Sequence, residues 1–218
     1  MSATEQALRN GLAALTLELD DTQIQQLLDY QALIAKWTAV YNLTAVRDPA
    51  DMLTHHLLDS LAVIRPLRKQ LTSVDRPGRV SLLDVGSGAG LPGVIIAICC
   101  PMVDVICVDT VAKKVAFIKQ AALSLKLPNL TALHARVETI DQSYDFVCSR
   151  AFASLADFTA WSAKALSPTG LWVAMKGKPP TEELAALSPA IQVFHVEPLS
   201  VPGLQADRCI VWMRKKSA

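Results

Sequence analysis

No charge of one sign dominates this chain. It has 21 Lys and Arg against 20 Asp and Glu, a formal net charge of +1 over 218 residues, so it lacks the global basic footprint of many nucleic-acid-binding domains. Aromatic residues make up only 6% and charged residues 19%, while 51% are hydrophobic. That apolar fraction excludes intrinsic disorder and predicts one large globular domain, or one domain carrying a sizeable extension. Long apolar runs are missing too. The most lipid-like stretch, Leu91 to Val108, is broken by Pro92, Gly93, Pro101 and Asp104, and its uninterrupted part, Val94 to Cys100, falls far short of the roughly 20 residues a membrane span needs. The first residues carry Glu5 and Arg9 among small side chains and lack both a basic leader and the apolar stretch of a secretion signal. A cytoplasmic protein is therefore expected. Five cysteines (Cys99, Cys100, Cys107, Cys148, Cys209) form no C-x-x-C spacing and sit in apolar surroundings, which favours a reducing compartment and inert thiols over a redox pair or zinc site.

The two ends of the chain follow different grammars. Up to Gly78 it reads as helices, with 7 Lys and Arg against 9 Asp and Glu; from Arg79 onward the counts are 14 and 11. Ser2 and Glu5 have capping-box spacing ahead of Leu8, Leu12 and Leu15. Ile24, Leu27, Tyr30, Ile34, Trp37 and Tyr41 form a second apolar stripe. Asp48 as cap with Pro49 at the first helical position starts a third helix, expected to run through Met52, Leu57, Leu61 and Ile64 until Pro66. Val74 to Arg79, with Pro77 and Gly78, reads as a linker. The division expected is a helical extension over 1–78 and a core over 79–218. In the core, short β-branched runs alternate with helix-sized segments, the pattern of a mostly parallel sheet with crossover helices. Seven strands are predicted: Val80–Val85, Val103–Asp109, Leu130–His134, Phe146–Ser149, Leu171–Met175, Gln192–Val196 and Cys209–Met213. Val111, Val115, Ile118, Ala122 and Leu125 mark the apolar face of one crossover, leaving Lys113, Lys114, Lys119 and Lys126 as an outward face.

Chemistry concentrates where the first strand runs into Asp84-Val85-Gly86-Ser87-Gly88-Ala89-Gly90-Leu91-Pro92-Gly93. Such a glycine loop lies at the carboxyl edge of an α/β sheet, where strand order reverses, and its helix N-terminus favours an anionic group. Gly88, Gly90 and Gly93 formally match a dinucleotide fingerprint, but the match alone is weak. Asp84 would put a carboxylate near a pyrophosphate. S-adenosylmethionine has no phosphate, and its ammonium and carboxylate suit an acidic side chain and backbone N–H groups, so Asp84, Gly86 and Gly88 fit it better. Asp109 closes the second strand, where a carboxylate can accept both ribose hydroxyls of either cofactor. Glu138 follows the third strand, placed to meet the edge of adenine. The fourth strand ends in Cys148-Ser149-Arg150-Ala151-Phe152, without the Asn/Asp-Pro-Pro-aromatic turn of exocyclic amine methylation and without a Pro-Cys nucleophile. A cation and a ring there suit an anionic, π-faced substrate such as a nucleotide.

Tyr41-Asn42-Leu43-Thr44-Ala45-Val46-Arg47-Asp48-Pro49, His56-Leu57-Leu58-Asp59-Ser60, the loop from Asp84 to Gly93, Ser149-Arg150-Ala151-Phe152-Ala153-Ser154-Leu155 and Lys176-Gly177 together resemble RsmG, also called GidB, the bacterial 16S rRNA guanine-N7 methyltransferase family. The likeness spans about Asp21 to Met213. It implies a class I S-adenosylmethionine-dependent methyltransferase, with a Rossmann-like, seven-stranded, mostly parallel sheet and an N-terminal helical extension. The implied target is a loop guanine of 16S rRNA, the one at position 527, in free RNA or the small ribosomal subunit, modified by a monomer. Carried over by position, cofactor contacts fall on Gly86, Leu91, Val137, Glu138 and Arg150. Candidates for RNA contact are Asn42, His56, Arg136, Lys176, Lys178 and Arg208, the Arg214-Lys215-Lys216 tail, and Phe152 as a stacking ring. His55, His56 and Asp59 lack a fourth partner for a metal, and none is expected.

Guanine N7 carries an in-plane lone pair and no proton, so no general base is required, and no catalytic acid or base is read from the sequence. Positioning should dominate, since proximity is worth on the order of 7 to 11 kcal/mol against about 1 kcal/mol for one hydrogen bond. N7 lies in the inaccessible deep groove of A-form RNA, so the base must come from a loop or be splayed out. Two other readings fit the same residues: a methyltransferase of a small molecule or protein, and a non-catalytic sensor of an adenosine ligand.

Overall fold

The computed structural model describes residues 1–72 and 78–216. Most of the expected linker, Val74 to Arg79, lies outside the described residues. Helix α1 (Ala3–Ala14) is capped by the Ser2 hydroxyl, which accepts from the Glu5 amide at 3.1 Å. Helix α2 (Asp21–Tyr41) opens on a complete capping box between Asp20 and Gln23. It ends at Asn42 in the left-handed conformation, φ 50°, which asparagine tolerates better than most residues.

The third predicted helix exists but is not continuous. Asp48 caps α3 (Pro49–Met52), as expected; the chain then widens into a π-helical segment, Leu53–Leu58, before α4 (Asp59–Leu61) and α5 (Ile64–Leu71). Pro66 does not end a helix; it lies in the first turn of α5, where its missing N–H costs nothing.

The remaining elements are β1 (Val80–Val85), α6 (Gly93–Cys99), β2 (Val103–Asp109), α7 (Ala112–Ser124), β3 (Leu130–His134), a 3₁₀ turn (Val137–Thr139), β4 (Tyr144–Arg150), α8 (Leu155–Trp161), β5 (Leu166–Lys176), α9 (Thr181–Ala185), β6 (Ile191–Leu199) and β7 (Arg208–Lys215). All seven predicted strands are present. They form one sheet in the order β3-β2-β1-β4-β5-β7-β6, parallel except that β7 runs antiparallel to both neighbours. Strand order reverses between β1 and β4, which opens the crevice in which ligands of such sheets bind.

Two apolar layers enclose the sheet. On one face Leu82, Val105, Cys107 and Phe146 pack with α6, α7 and the N-terminal helices, including Leu8, Leu27, Tyr30 and Leu57. On the other, Leu83, Val85, Val108 and Val147 pack with Leu155 and Phe158 of α8. The alternation of Leu82 and Leu83 between layers is the period of two of a strand covered on both faces. The helical extension and the sheet thus share one hydrophobic cluster. Polar ties reinforce it: Gln23 donates to Ile98 O at 2.7 Å, and Gln26 donates to Leu125 O at 2.8 Å.

Candidate functional site

Most backbone amides of the loop after β1 already have acceptors in the loop itself or on β1 and β2. Gly86 and Ser87 donate to Val108 O, Gly90 and Leu91 to Ser87 O, and Val94 to Gly90 O. Gly88 donates to Asp109 Oδ2, and Gly93 to Asp84 Oδ2, both at 2.9 Å. The expectation that this helix N-terminus offers free N–H groups to an anion is therefore revised. A pyrophosphate would find few amides of this cradle free, which weakens the physical basis of the dinucleotide reading.

Asp84 fills it from beneath. Its side chain is fully buried, and the register sets it opposite Cys107 of β2 and Cys148 of β4, whose thiols donate to Oδ2 at 3.9 Å and to Oδ1 at 3.6 Å. Burial raises its carboxyl to about 7, and the Gly93 amide only partly opposes this. Burial likewise pushes both thiols well above their ordinary value, so they remain S–H donors. Asp84 thus ties the loop to the sheet from below and does not face the cleft, contrary to the cofactor contact expected of it.

Two clefts meet above this loop, sharing Gly86 and Ala151. The smaller, about 410 Å³, is lined by Asp109, Val111, Lys114, Val137, Glu138 and Trp161 among others. The nearly buried Asp109 accepts from Gly88 and, at 2.8 Å, from Val111, and each carboxylate oxygen keeps a lone pair for a further donor. Arg136 donates to Glu138 at 2.9 Å and holds its carboxyl below the usual range. Lys114, assigned to the outward face, also lines this cleft, 4.0 Å from Asp109. Phe152 packs its ring on Gly86 and edge-on against Trp161, with centroids 5.8 Å apart. It forms part of this wall. Two carboxylates, a valine floor and aromatic edges fit a nucleoside, so S-adenosylmethionine's adenosyl part would be held by Asp109, Val137 and Glu138.

The larger cleft, about 530 Å³, is lined by Thr44, His55, His56, Asp59, Gly86, Gly88, Leu91, Arg150, Lys176 and Arg208 among others. Three cations stand on strand ends. Arg150 and Lys176 close β4 and β5, and Arg208 opens β7, which begins at that same edge because it runs antiparallel. Lys176 is not free for phosphate, since it donates to Glu183 at 2.8 Å and to Ala153 O at 2.9 Å. His56 is buried, 2.8 Å from the Thr44 hydroxyl, and burial together with Arg150 lowers its pKa. It is neutral near pH 7 and is no phosphate cation. Asn42 lies outside the cleft and accepts from Arg47 at 2.6 Å. Asp59, considered in the sequence only as a metal ligand, is 4% exposed and accepts from both Arg150 and Arg208 at 2.8 Å.

A donor cleft and an acceptor cleft meeting at the switch point of a 3-2-1-4-5-7-6 sheet define a class I S-adenosylmethionine-dependent methyltransferase. Among solved structures, the chain superposes on a SAM-dependent methyltransferase from Aquifex aeolicus with a TM-score of 0.52, 20% identity and coverage of 71% of this chain and 92% of that one. It also superposes on the [4+2]-cyclase SpnF with a TM-score of 0.54, 15% identity and coverage of 73% and 81%, so the fold alone does not fix the reaction. The chain belongs to the GidB family, described as rRNA small subunit methyltransferase G, whose model matches residues 23–211. It is 70% identical over its whole length to ribosomal RNA small subunit methyltransferase G of Polaromonas sp. (strain JS666), covering 96% of that protein.

Proposed function

We propose that the protein transfers the methyl group of S-adenosylmethionine to N7 of a guanine in 16S rRNA, the guanine at position 527, acting in the cytoplasm as a monomer. The observation that carries this reading is the junction of the two clefts at Gly86 and Ala151. It sets a nucleoside-shaped site beside an arginine-lined one across a shared wall. Bound S-adenosylmethionine supplies an electrophilic methyl on a sulfonium centre. Asp109 and Glu138 orient the adenosyl part, and Leu91 and Gly86 bound the passage. Arg150 and Arg208 give the acceptor cleft the positive character that draws a phosphodiester-linked base. N7 has no proton to lose, so the reaction asks for no general base.

The test supplies labelled donor with unmethylated small-subunit particles or with the RNA extracted from them. Digestion to nucleosides should yield 7-methylguanosine as the labelled product, mapped to position 527. Label confined to another nucleoside, or transfer that survives ribonuclease treatment of the substrate, would replace this reading with a different methyl acceptor. Tight donor binding with no turnover on either RNA would indicate a sensor.

A further inference from the structure

We infer that Asp59 is a positioning residue that locks Arg150 and Arg208 into one oriented pair across the acceptor cleft, an inference that rests on the proposed RNA methyl transfer. Asp59 follows directly on the π-helical segment Leu53–Leu58 of the N-terminal extension, a feature often found at functional sites. Its two oxygens are divided. Oδ2 accepts from Nη1 of Arg150 and Oδ1 from Nε of Arg208, each at 2.8 Å. Further anchors are backbone carbonyls: His55 O accepts from Nη1 of Arg150 at 3.1 Å and Asp207 O from Nη1 of Arg208 at 2.8 Å. Nη2 of each guanidinium takes no part in these bonds and is left for a ligand.

The charge count gives the trio its purpose. Two guanidinium groups and one carboxylate leave a net +1, the complement of one phosphodiester, while Lys176 is neutralised by Glu183 outside the cleft lining. Three distant parts of the chain meet here: the helical extension, the end of β4 beside the donor cleft, and the start of β7. A planar fork held by a carboxylate loses less freedom on binding than a mobile one. Asp59 therefore trades raw attraction for RNA against orientation of the target nucleotide.

This makes an asymmetric prediction. Asp59→Asn removes a negative charge and leaves one oxygen for two arginines, so KM for unmethylated 16S rRNA should hold or fall while kcat drops about tenfold or more. The slope of log affinity against log salt, measured by filter binding of the same RNA in KCl, should steepen by about one. Asp59→Glu, which keeps both oxygens, should restore most of kcat. In an Arg208→Gln background Asp59→Asn should cost less than in the wild type, because part of its action runs through Arg208.

An unchanged kcat in folded Asp59→Asn, fully multiplicative effects in the cycle, or losses that track only the folded fraction with Glu no better than Asn would overturn the inference. If Asp59→Asn does not accumulate folded, Arg208→Lys reports from the other side: it keeps the ion pair but loses the fork, and a full kcat there overturns the inference equally. If the wild type fails to methylate RNA, the proposed function falls. The salt slope, which needs no turnover, then decides on Asp59.

Discussion

At the scale of single residues, backbone conformation decides more than side-chain chemistry. Gly86 stands at φ +67°, and a Cβ added there would collide with the ring of Phe152. A non-glycine residue in the left-handed region costs about 1–3 kcal/mol, and the wall shared by the two clefts would have to move. Gly86→Ala should weaken donor binding by about tenfold or more, read by calorimetry with the methyl donor. Unchanged affinity would place the donor elsewhere. Gly86, Asp109, Glu138 and Arg150 were singled out because each stands at or near a strand end, Leu91 and Val137 by the family resemblance, and all six line the two clefts. Asp84 was legible as important and misjudged in role. Nothing along the chain indicates that the register sets Cys107 and Cys148 against it.

At the scale of elements, α2 braces the glycine loop. Tyr30 is fully buried in the middle of that helix and donates its hydroxyl to Ala89 O at 2.5 Å, with Phe117 of α7 stacked 6.3 Å away. Tyr30→Phe keeps the ring and leaves a buried carbonyl unpaired, a loss of about 1–3 kcal/mol. A drop in melting temperature of roughly 2–4 °C per kcal/mol is expected for a chain of this size, together with a several-fold weaker donor affinity because the loop loses its brace. Affinity equal to the wild type would confine the contact to stability. The stripe containing Tyr30 was read correctly as a helix face, but which loop it meets depends on how α2 crosses the sheet. The π-helical segment was invisible for a similar reason. Apolar spacing through Leu57 and Leu61 is compatible with a continuous helix, and only the packing around it decides where a turn widens.

At the scale of the whole molecule, Asp84 links stability to pH. Its carboxyl titrates at about 7 in the fold against 3.8 ordinarily, so between those values the native state holds a proton that the unfolded chain has released. Stability from this group is then complete at low pH and lost as pH rises towards 7. Asp84→Asn cannot ionise, so its stability relative to the wild type should improve by a few kcal/mol between pH 5 and pH 8, measured by urea unfolding at both. An equal difference at the two pH values would show that burial does not hold the proton there.

The number and placement of the strands, the glycine loop, the helix caps at Ser2 and Asp48, and membership of a methyltransferase family were all determined by the sequence alone. Periodicity, capping and turn chemistry are local, so they are written where they act. What only the tertiary structure decided is which distant residues meet. Asp59 gathers Arg150 and Arg208, Lys176 is claimed by Glu183, Phe152 turns to the donor side, and most loop amides are paired within the fold. Those outcomes depend on the strand register and on how helices cross the sheet, which are set by the packing of the whole core.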